Sequence, residues 1–248
     1  MKLESARRVV SGAARPPQAP PFRRRYKRPF DLAVLGLLFL ALWPLWLILV
    51  AAIVAAVRLQ DGGPALYRQR RLGLGGQAFD MLKFRTMPVG AERRTGPVWA
   101  GRRDRRATPV GRVLRRLHLD ELPQAVNVAR GEMSLVGPRP ERPAIAARIE
   151  RRYPGFAARL SVPPGIAGLA QARGRFPAPP REKLRYDRVY IGAMGPWLDL
   201  KLLAACVWRT LRGRPARAAA RQSVRPRSAR RKAPPGPGPP PPQPARPR

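Results

Sequence analysis

The chain has 248 residues, with 50 Lys and Arg against 14 Asp and Glu, one His, one Cys and 32 Pro. A disulfide framework is excluded because Cys206 has no partner in the chain, and a Cys/His metal cluster is excluded because His118 and Cys206 cannot supply a ligand set. A Ser-His or Cys-His hydrolase would depend on His118 alone as its base.

The net charge of +36 is unevenly spread. Residues 1–30 hold nine bases and one acid, a balance of +8, and residues 209–248 hold twelve bases and no acid, +12. The middle, 31–208, holds 29 bases and 13 acids, +16. More than half of the excess therefore sits in two tails rich in Pro, Ala and Arg. Such tails are either solvated appendages or attractors of anions: lipid headgroups, nucleic acid or phosphate-bearing substrates.

In chain order, residues 1–25 have no apolar periodicity and are expected to be a disordered basic segment. Residues 31–57 then carry no charge after Asp31. Such a run makes roughly 40 Å of helix at about 1.5 Å per residue, more than the roughly 30 Å of a bilayer core. It is longer than the about 7–15 apolar residues of a signal peptide. Residues 26–60 are therefore expected to enter a membrane. Pro44 lies at the middle of the run, with thirteen residues on either side. Proline removes a backbone donor and clashes with the preceding turn, which leaves two limbs of about 20 Å. Basic residues flank both ends: Arg23, Arg24, Arg25, Lys27 and Arg28 before, Arg58, Arg68, Arg70 and Arg71 after. The positive-inside tendency places both flanks on the cytoplasmic side. A hairpin broken at Pro44 and a single kinked span both remain open on these features.

Residues 61–211 are expected to form a cytoplasmic domain, followed by a disordered Arg/Pro-rich tail over 212–248. Short strands are predicted over 66–71 and 77–84, joined by the Gly73-Leu74-Gly75-Gly76 turn. Helices are predicted over 105–117, over 122–128 behind an Asp120 N-cap, over 141–153 and over 182–191. A helix over 197–211 either lies on the membrane with Trp197 and Trp208 at headgroup depth or packs in the core. The fold class is α+β, mainly helical.

One acidic pair, Asp120-Glu121, stands amid many bases. Adjacent residues on a helix point about 100° apart, so the pair cannot flank a substrate as a glycosidase pair does. It suits one carboxylate attacking while the other holds a metal ion, or else an N-cap followed by a first-turn Glu. A helix N-terminus favours the ionised form of Asp120 and attracts phosphate. Candidate anion clamps are Lys83, Arg85, Arg112, Arg139, Arg173 and Arg175, with Arg115 and Arg116 beside Arg112. Pro138 and Pro140 fix the backbone around Arg139. The glycine turn lacks the Lys-Ser/Thr of a phosphate-binding loop.

Four segments in order, LYRQRRLGLGGQAFDMLKFRTM, LHLDELPQAVNVARGEMSLVGPRPE, PPGIAGLAQARGR and YDRVYIGAMGPWLDLKLL, resemble the bacterial sugar transferase family. These are small monotopic phosphoglycosyl transferases, and the resemblance runs from Lys27 in KRPFDL to about Trp208. It implies transfer of sugar 1-phosphate from a nucleoside diphosphate sugar, usually a UDP-sugar, to undecaprenyl phosphate, with release of UMP. The product starts assembly of exopolysaccharide, capsule, O-antigen or glycoprotein glycans. The resemblance makes Asp120 the nucleophile of an aspartyl-phosphosugar intermediate and associates Glu121 with Mg²⁺. It also implies a re-entrant membrane helix, and thus an enzyme at the inner leaflet of the cytoplasmic membrane. The partners are the donor, the lipid acceptor and anionic lipid, with a homodimer allowed. With a single apolar run, the chain is expected to lack the four extra spans of the family's longer members. Departures from the family pattern are His118 before Leu119-Asp120-Glu121, Trp43 before Pro44, and Ala167 where Thr is common.

A basic membrane- or nucleic-acid-binding module is the competing class, supported by the charge alone. No aromatic residue follows Trp208 to interleave with the tail arginines, so nucleic acid is not expected as a partner. A degenerate scaffold is disfavoured by the intact carboxylate pair.

Overall fold

The computed structural model describes residues 25–93, 104–175 and 178–212. The expected disordered segments 1–25 and 212–248, apart from Arg25 and Arg212, lie outside the described residues.

The apolar run forms one long helix, α1, over Lys27–Asp61. Pro44 does not end it. The distortion falls two residues earlier, at Leu42, whose φ of −127° and ψ of 17° leave helical space. A proline ring collides with the turn before it, so the strain is absorbed there and the helix kinks. The Trp46 indole N–H donates to the Leu38 carbonyl across the kink, at 3.3 Å. The middle of α1 is bare, with Leu37, Leu40 and Ile48 each about 70% exposed. Among the described residues, α1 is the one helix long and apolar enough to cross a membrane.

Both ends of α1 are tied to the rest of the molecule. At its start, the Lys27 ammonium donates to the Val136 carbonyl, to Tyr190 Oη (3.0 Å) and to Asp199 Oδ2 (2.8 Å). Asp31 Oδ1 accepts from the Ser134 hydroxyl and the Leu135 amide, each at 3.0 Å. At its end, Asp61 is gripped by both arms of Arg85, at 2.5 Å each. Ile53 and Val57 pack there with Ala65, Phe84 and Leu114.

Strands β1 (Leu66–Leu72) and β2 (Ala78–Phe84) form an antiparallel hairpin with Leu66 opposite Phe84. The expected strands were each right to within one residue. Helix α2 (Pro109–Leu117) starts later than the expected residue 105, because Thr108 caps it: its hydroxyl accepts from the Gly111 amide at 3.0 Å. A 3₁₀ turn, Leu119–Glu121, and helix α3 (Gln124–Arg130) follow. Two three-residue strands, β3 (Ser134–Val136) and β4 (Gly165–Ala167), pair in parallel and are absent from the expectations. Their backbones approach so closely that a Cβ at Gly165 would lie 2.0 Å from the Gly137 nitrogen. Only glycine permits that approach.

Between them stand α4 (Pro143–Arg152) and a 3₁₀ segment, Phe156–Ser161; after β4 come α5 (Leu169–Ala172), α6 (Pro180–Ala193) and α7 (Pro196–Leu211). The main core gathers Phe79 and Met81 of β2, Val128 of α3, Leu135 and Val136 of β3, Tyr190 of α6 and Leu202 of α7. The core-packing placement of α7 holds for one of its faces. Leu198, Leu203 and Cys206 pack on this core, while Trp197, Leu200, Val207, Trp208 and Leu211 stay exposed.

Candidate active site

The acidic pair lies inside the 3₁₀ turn rather than at a helix N-terminus. Residue 118 is the sole non-glycine with positive φ (58°) among the described residues, and its left-handed backbone ends α2 and starts the turn. Helix α3 begins only at Gln124, preceded by Pro123 with no side-chain cap. The N-cap reading of Asp120 is therefore corrected: a His in left-handed conformation and Pro123 separate the turn from both helices.

The turn buries both carboxylates, with side chains about a tenth exposed. β2 brings Lys83 against them, and the Gly137-Pro138-Arg139 segment after β3 brings Arg139. Lys83 Nζ donates to Glu121 Oε1 at 3.0 Å and lies 4.0 Å from Asp120 Oδ2. Arg139 forks onto Glu121, with Nη2 on Oε1 and Nη1 on Oε2 at 3.1 Å. Asp120 accepts no hydrogen bond among the described residues. The two neighbours are thus held unequally.

Their electrostatics diverge accordingly. Burial raises the Asp120 carboxyl above its ordinary value, and the Lys83 charge opposes this without cancelling it. Burial acts upward on Glu121 too, but Arg139 and Lys83 overcome it and hold that carboxyl well below the usual carboxylate range. Burial also lowers Lys83, against the pull of Glu121.

Of the six expected anion clamps, Lys83 and Arg139 meet the pair. Arg85 does not: β2 ends at Phe84, so strand alternation no longer aims residue 85 with Lys83. Its guanidinium is taken by Asp61 and by the Pro64 carbonyl at 2.6 Å. Arg112 turns back to the Ala107 carbonyl at 3.0 Å. Arg173 and Arg175, after α5, are exposed and make no bond to either carboxylate.

Four further residues lie around the site, and none of them was assigned to it from the sequence. Asn127 is fully buried in α3; its amide donates to the Asp80 carbonyl and its Oδ1 accepts from the Leu82 amide, fixing β2 beside Lys83. A polar residue on the buried face of an apolar helix was the available signal. Arg159 and Arg71 act on the backbone around Arg139, and nothing in their spacing marks them. Gln124 is fully buried, and neither of its amide atoms has a hydrogen-bond partner among the described residues.

Two cations thus organise two buried carboxylates in a domain carried on a bare apolar helix that fits a membrane anchor. The bacterial sugar transferase family matches residues 22–213, so the chain belongs to that family and is a transferase. It is 44% identical over 188 residues to the UDP-glucose:undecaprenyl-phosphate glucose-1-phosphate transferase of Caulobacter vibrioides, covering 73% of this chain and 68% of that protein. A protein of the same name from Xanthomonas campestris pv. campestris is 40% identical over 73% of this chain, but the match spans only 37% of its own length. The exopolysaccharide production protein ExoY of Sinorhizobium fredii is 37% identical, covering 71% of this chain and 81% of the relative.

Proposed function

We propose that the chain transfers sugar 1-phosphate from a UDP-sugar to undecaprenyl phosphate through a covalent intermediate on Asp120. The observation that carries this is the unequal holding of the pair: Glu121 is locked by Lys83 and Arg139, while Asp120 accepts no hydrogen bond from any described residue. A carboxylate oxygen of Asp120 attacks the phosphorus bearing the sugar, the bond to the bridging oxygen breaks, and UMP leaves with that electron pair. A phosphate oxygen of the lipid then attacks the same phosphorus and Asp120 is released. Lys83 and Arg139 hold charge where the phosphates meet the site. The names of the relatives make UDP-glucose the first donor to test. Acid quenching with donor alone should leave a hexose phosphate on the peptide containing Asp120, together with one equivalent of UMP. UMP release without that adduct, and undiminished in Asp120→Asn, would replace the covalent route by direct displacement.

Mg²⁺ fits the donor set. No cluster of three or more His, Cys, Asp or Glu exists among the described residues, so an all-protein cage is not available. Mg²⁺ is commonly held by one or two carboxylates together with substrate phosphates. Glu121 Oε2 has a single donor, so it retains a lone pair for such an ion. Bound there, the ion would neutralise charge on the transferring phosphoryl group.

The re-entrant topology is supported by the anchoring of α1. Lys27 bonds to Val136, three residues before Arg139; Asp61 bonds to Arg85, two residues after Lys83; and Arg139 and Lys83 share Glu121. A spanning helix would put these anchors on opposite faces of a bilayer. Both ends on one domain, with the exposed apolar middle away from it, suit a helix that dips into the inner leaflet and returns. The exposed aromatic face of α7 fits the same surface. In intact cells of the Cys206→Ser background, a cysteine replacing Ser11 should resist impermeant thiol reagents. It should become partly labelled with Pro44→Leu, and labelling with Pro44 in place would show a span.

A further inference from the structure

Arg139 sits between two prolines, which have no N–H to donate, so its segment cannot be held by a strand ladder of its own. Instead, four consecutive carbonyls each receive a donor from elsewhere. Pro138 O accepts from the Gly165 amide of β4 (3.0 Å), and Arg139 O from Arg159 Nη2 (2.8 Å). Pro140 O accepts from Arg71 Nη1 (2.8 Å), and Glu141 O from the Leu72 amide (2.9 Å). The two side-chain donors are themselves held. Arg159 is buried, bonds Asp187 Oδ2 through Nε at 2.8 Å, and lies over the Phe156 ring at 4.9 Å. Arg71 bonds Gln69 Oε1 through Nε at 3.0 Å. Neither arginine bonds Asp120 or Glu121.

We propose that Arg159 and Arg71 are positioning residues for the transfer: they fix the Arg139 backbone so that its fork meets Glu121. This rests on the reading of Asp120 and Glu121 given above. The physical reason is tolerance. A bidentate guanidinium–carboxylate contact survives only small displacements, and the long Arg139 side chain magnifies any movement of its backbone.

Arg159→Lys keeps a cation beside Asp187 and Glu141, but a single ammonium lacks the arm that reaches the Arg139 carbonyl. Arg71→Gln removes the other donor without unpairing a buried carboxylate. In full-length protein in detergent, hydrogen exchange of the amides bonded in or to this segment, those of Leu72, Gly137 and Gly165, should speed up about tenfold in either variant, with residues 124–130 unchanged. Unchanged exchange at these three amides overturns the proposal, and if Arg159→Lys does not fold, Arg71→Gln decides. UMP release should fall about tenfold to a hundredfold in each variant. In an Arg139→Ala background the same substitutions should cost less than about twofold, because there is then no fork to aim. Multiplicative losses in that background would show that the arginines act by another route. Should Asp120→Asn retain full activity, the reaction reading falls, and the exchange measurement still decides this one.

Discussion

Among the described residues, two buried clusters each hold two cations and two carboxylates, and they are wired differently. In one, Lys183 donates to Glu141 while Arg159 bonds Asp187, so each carboxylate has a direct partner. In the other, both Lys83 and Arg139 bond Glu121, and Asp120 is left with a cation at 4.0 Å and no hydrogen bond from a described residue. Equal charge balance therefore yields two outcomes. The first cluster joins α6 to the 3₁₀ segment 156–161 and the Arg139 loop, and its pairing is complete. The second holds one carboxylate immobile and leaves its neighbour with the lone pairs a nucleophile needs. Two arginines link the clusters, since Arg159 of the first also holds the Arg139 carbonyl.

Asp120→Asn is the largest test of that contrast. Transfer should fall by at least about 10³-fold, because the attacking oxygen is lost. The melting temperature should hold or rise, because a buried charge without a hydrogen bond disappears. A marked drop in melting temperature would assign Asp120 a structural role like that of Asp187. Glu121→Gln should cost about 10²-fold in kcat and alter the Mg²⁺ titration, as it loosens Lys83 and Arg139 together. An unchanged titration removes Glu121 from the metal site.

Lys183→Met should show the opposite profile. It removes the hydrogen-bonded partner of Glu141 and leaves it Arg159 Nη1 at 3.7 Å, so stability should fall by about 1–3 kcal/mol, while folded protein keeps most of its turnover. Thermal denaturation followed in parallel with UMP release separates the two effects. Loss of turnover without loss of stability would erase the distinction between the clusters.

The acid limb of the pH profile offers a smaller, directional test. Asp120 must be ionised to attack, and burial raises its carboxyl, so kcat/KM should fall with unit slope at a midpoint above the ordinary aspartate value of about 4. Lys83 pulls that carboxyl down, so Lys83→Met should move the midpoint upward. Glu121 titrates below the usual carboxylate range. Its ionised form thus stabilises the fold above that range, and this contribution is lost only as pH falls further, after activity has gone. A midpoint unmoved by Lys83→Met would place the limb on another group. The smallest effect is expected from Trp46→Phe, which removes one hydrogen bond of about 1 kcal/mol at the kink. Labelling at position 11 should rise, but less than with Pro44→Leu.

Local chemistry in the chain was sufficient for the elements whose causes are local. The 27-residue apolar run makes a helix, the glycine turn at 73–76 closes a hairpin within one residue of its expected ends, and α6 and α7 follow their apolar spacing. Asp120-Glu121 stood out as the acidic pair among bases, and the prolines around Arg139 marked a stiffened backbone. What depended on distance in the fold was not legible. The strands β3 and β4 are three residues each and exist only because Gly137 and Gly165, 28 positions apart, allow their backbones to touch. Lys83 and Arg85 are equivalent in spacing and charge, yet the strand ends between them, and Asp61 captures one while Glu121 takes the other. Adjacent carboxylates likewise look interchangeable in sequence. Which one is locked and which is left unbonded is decided by where β2 and the loop after β3 deliver their cations, because a hydrogen bond depends on tenths of an ångström that only tertiary packing sets.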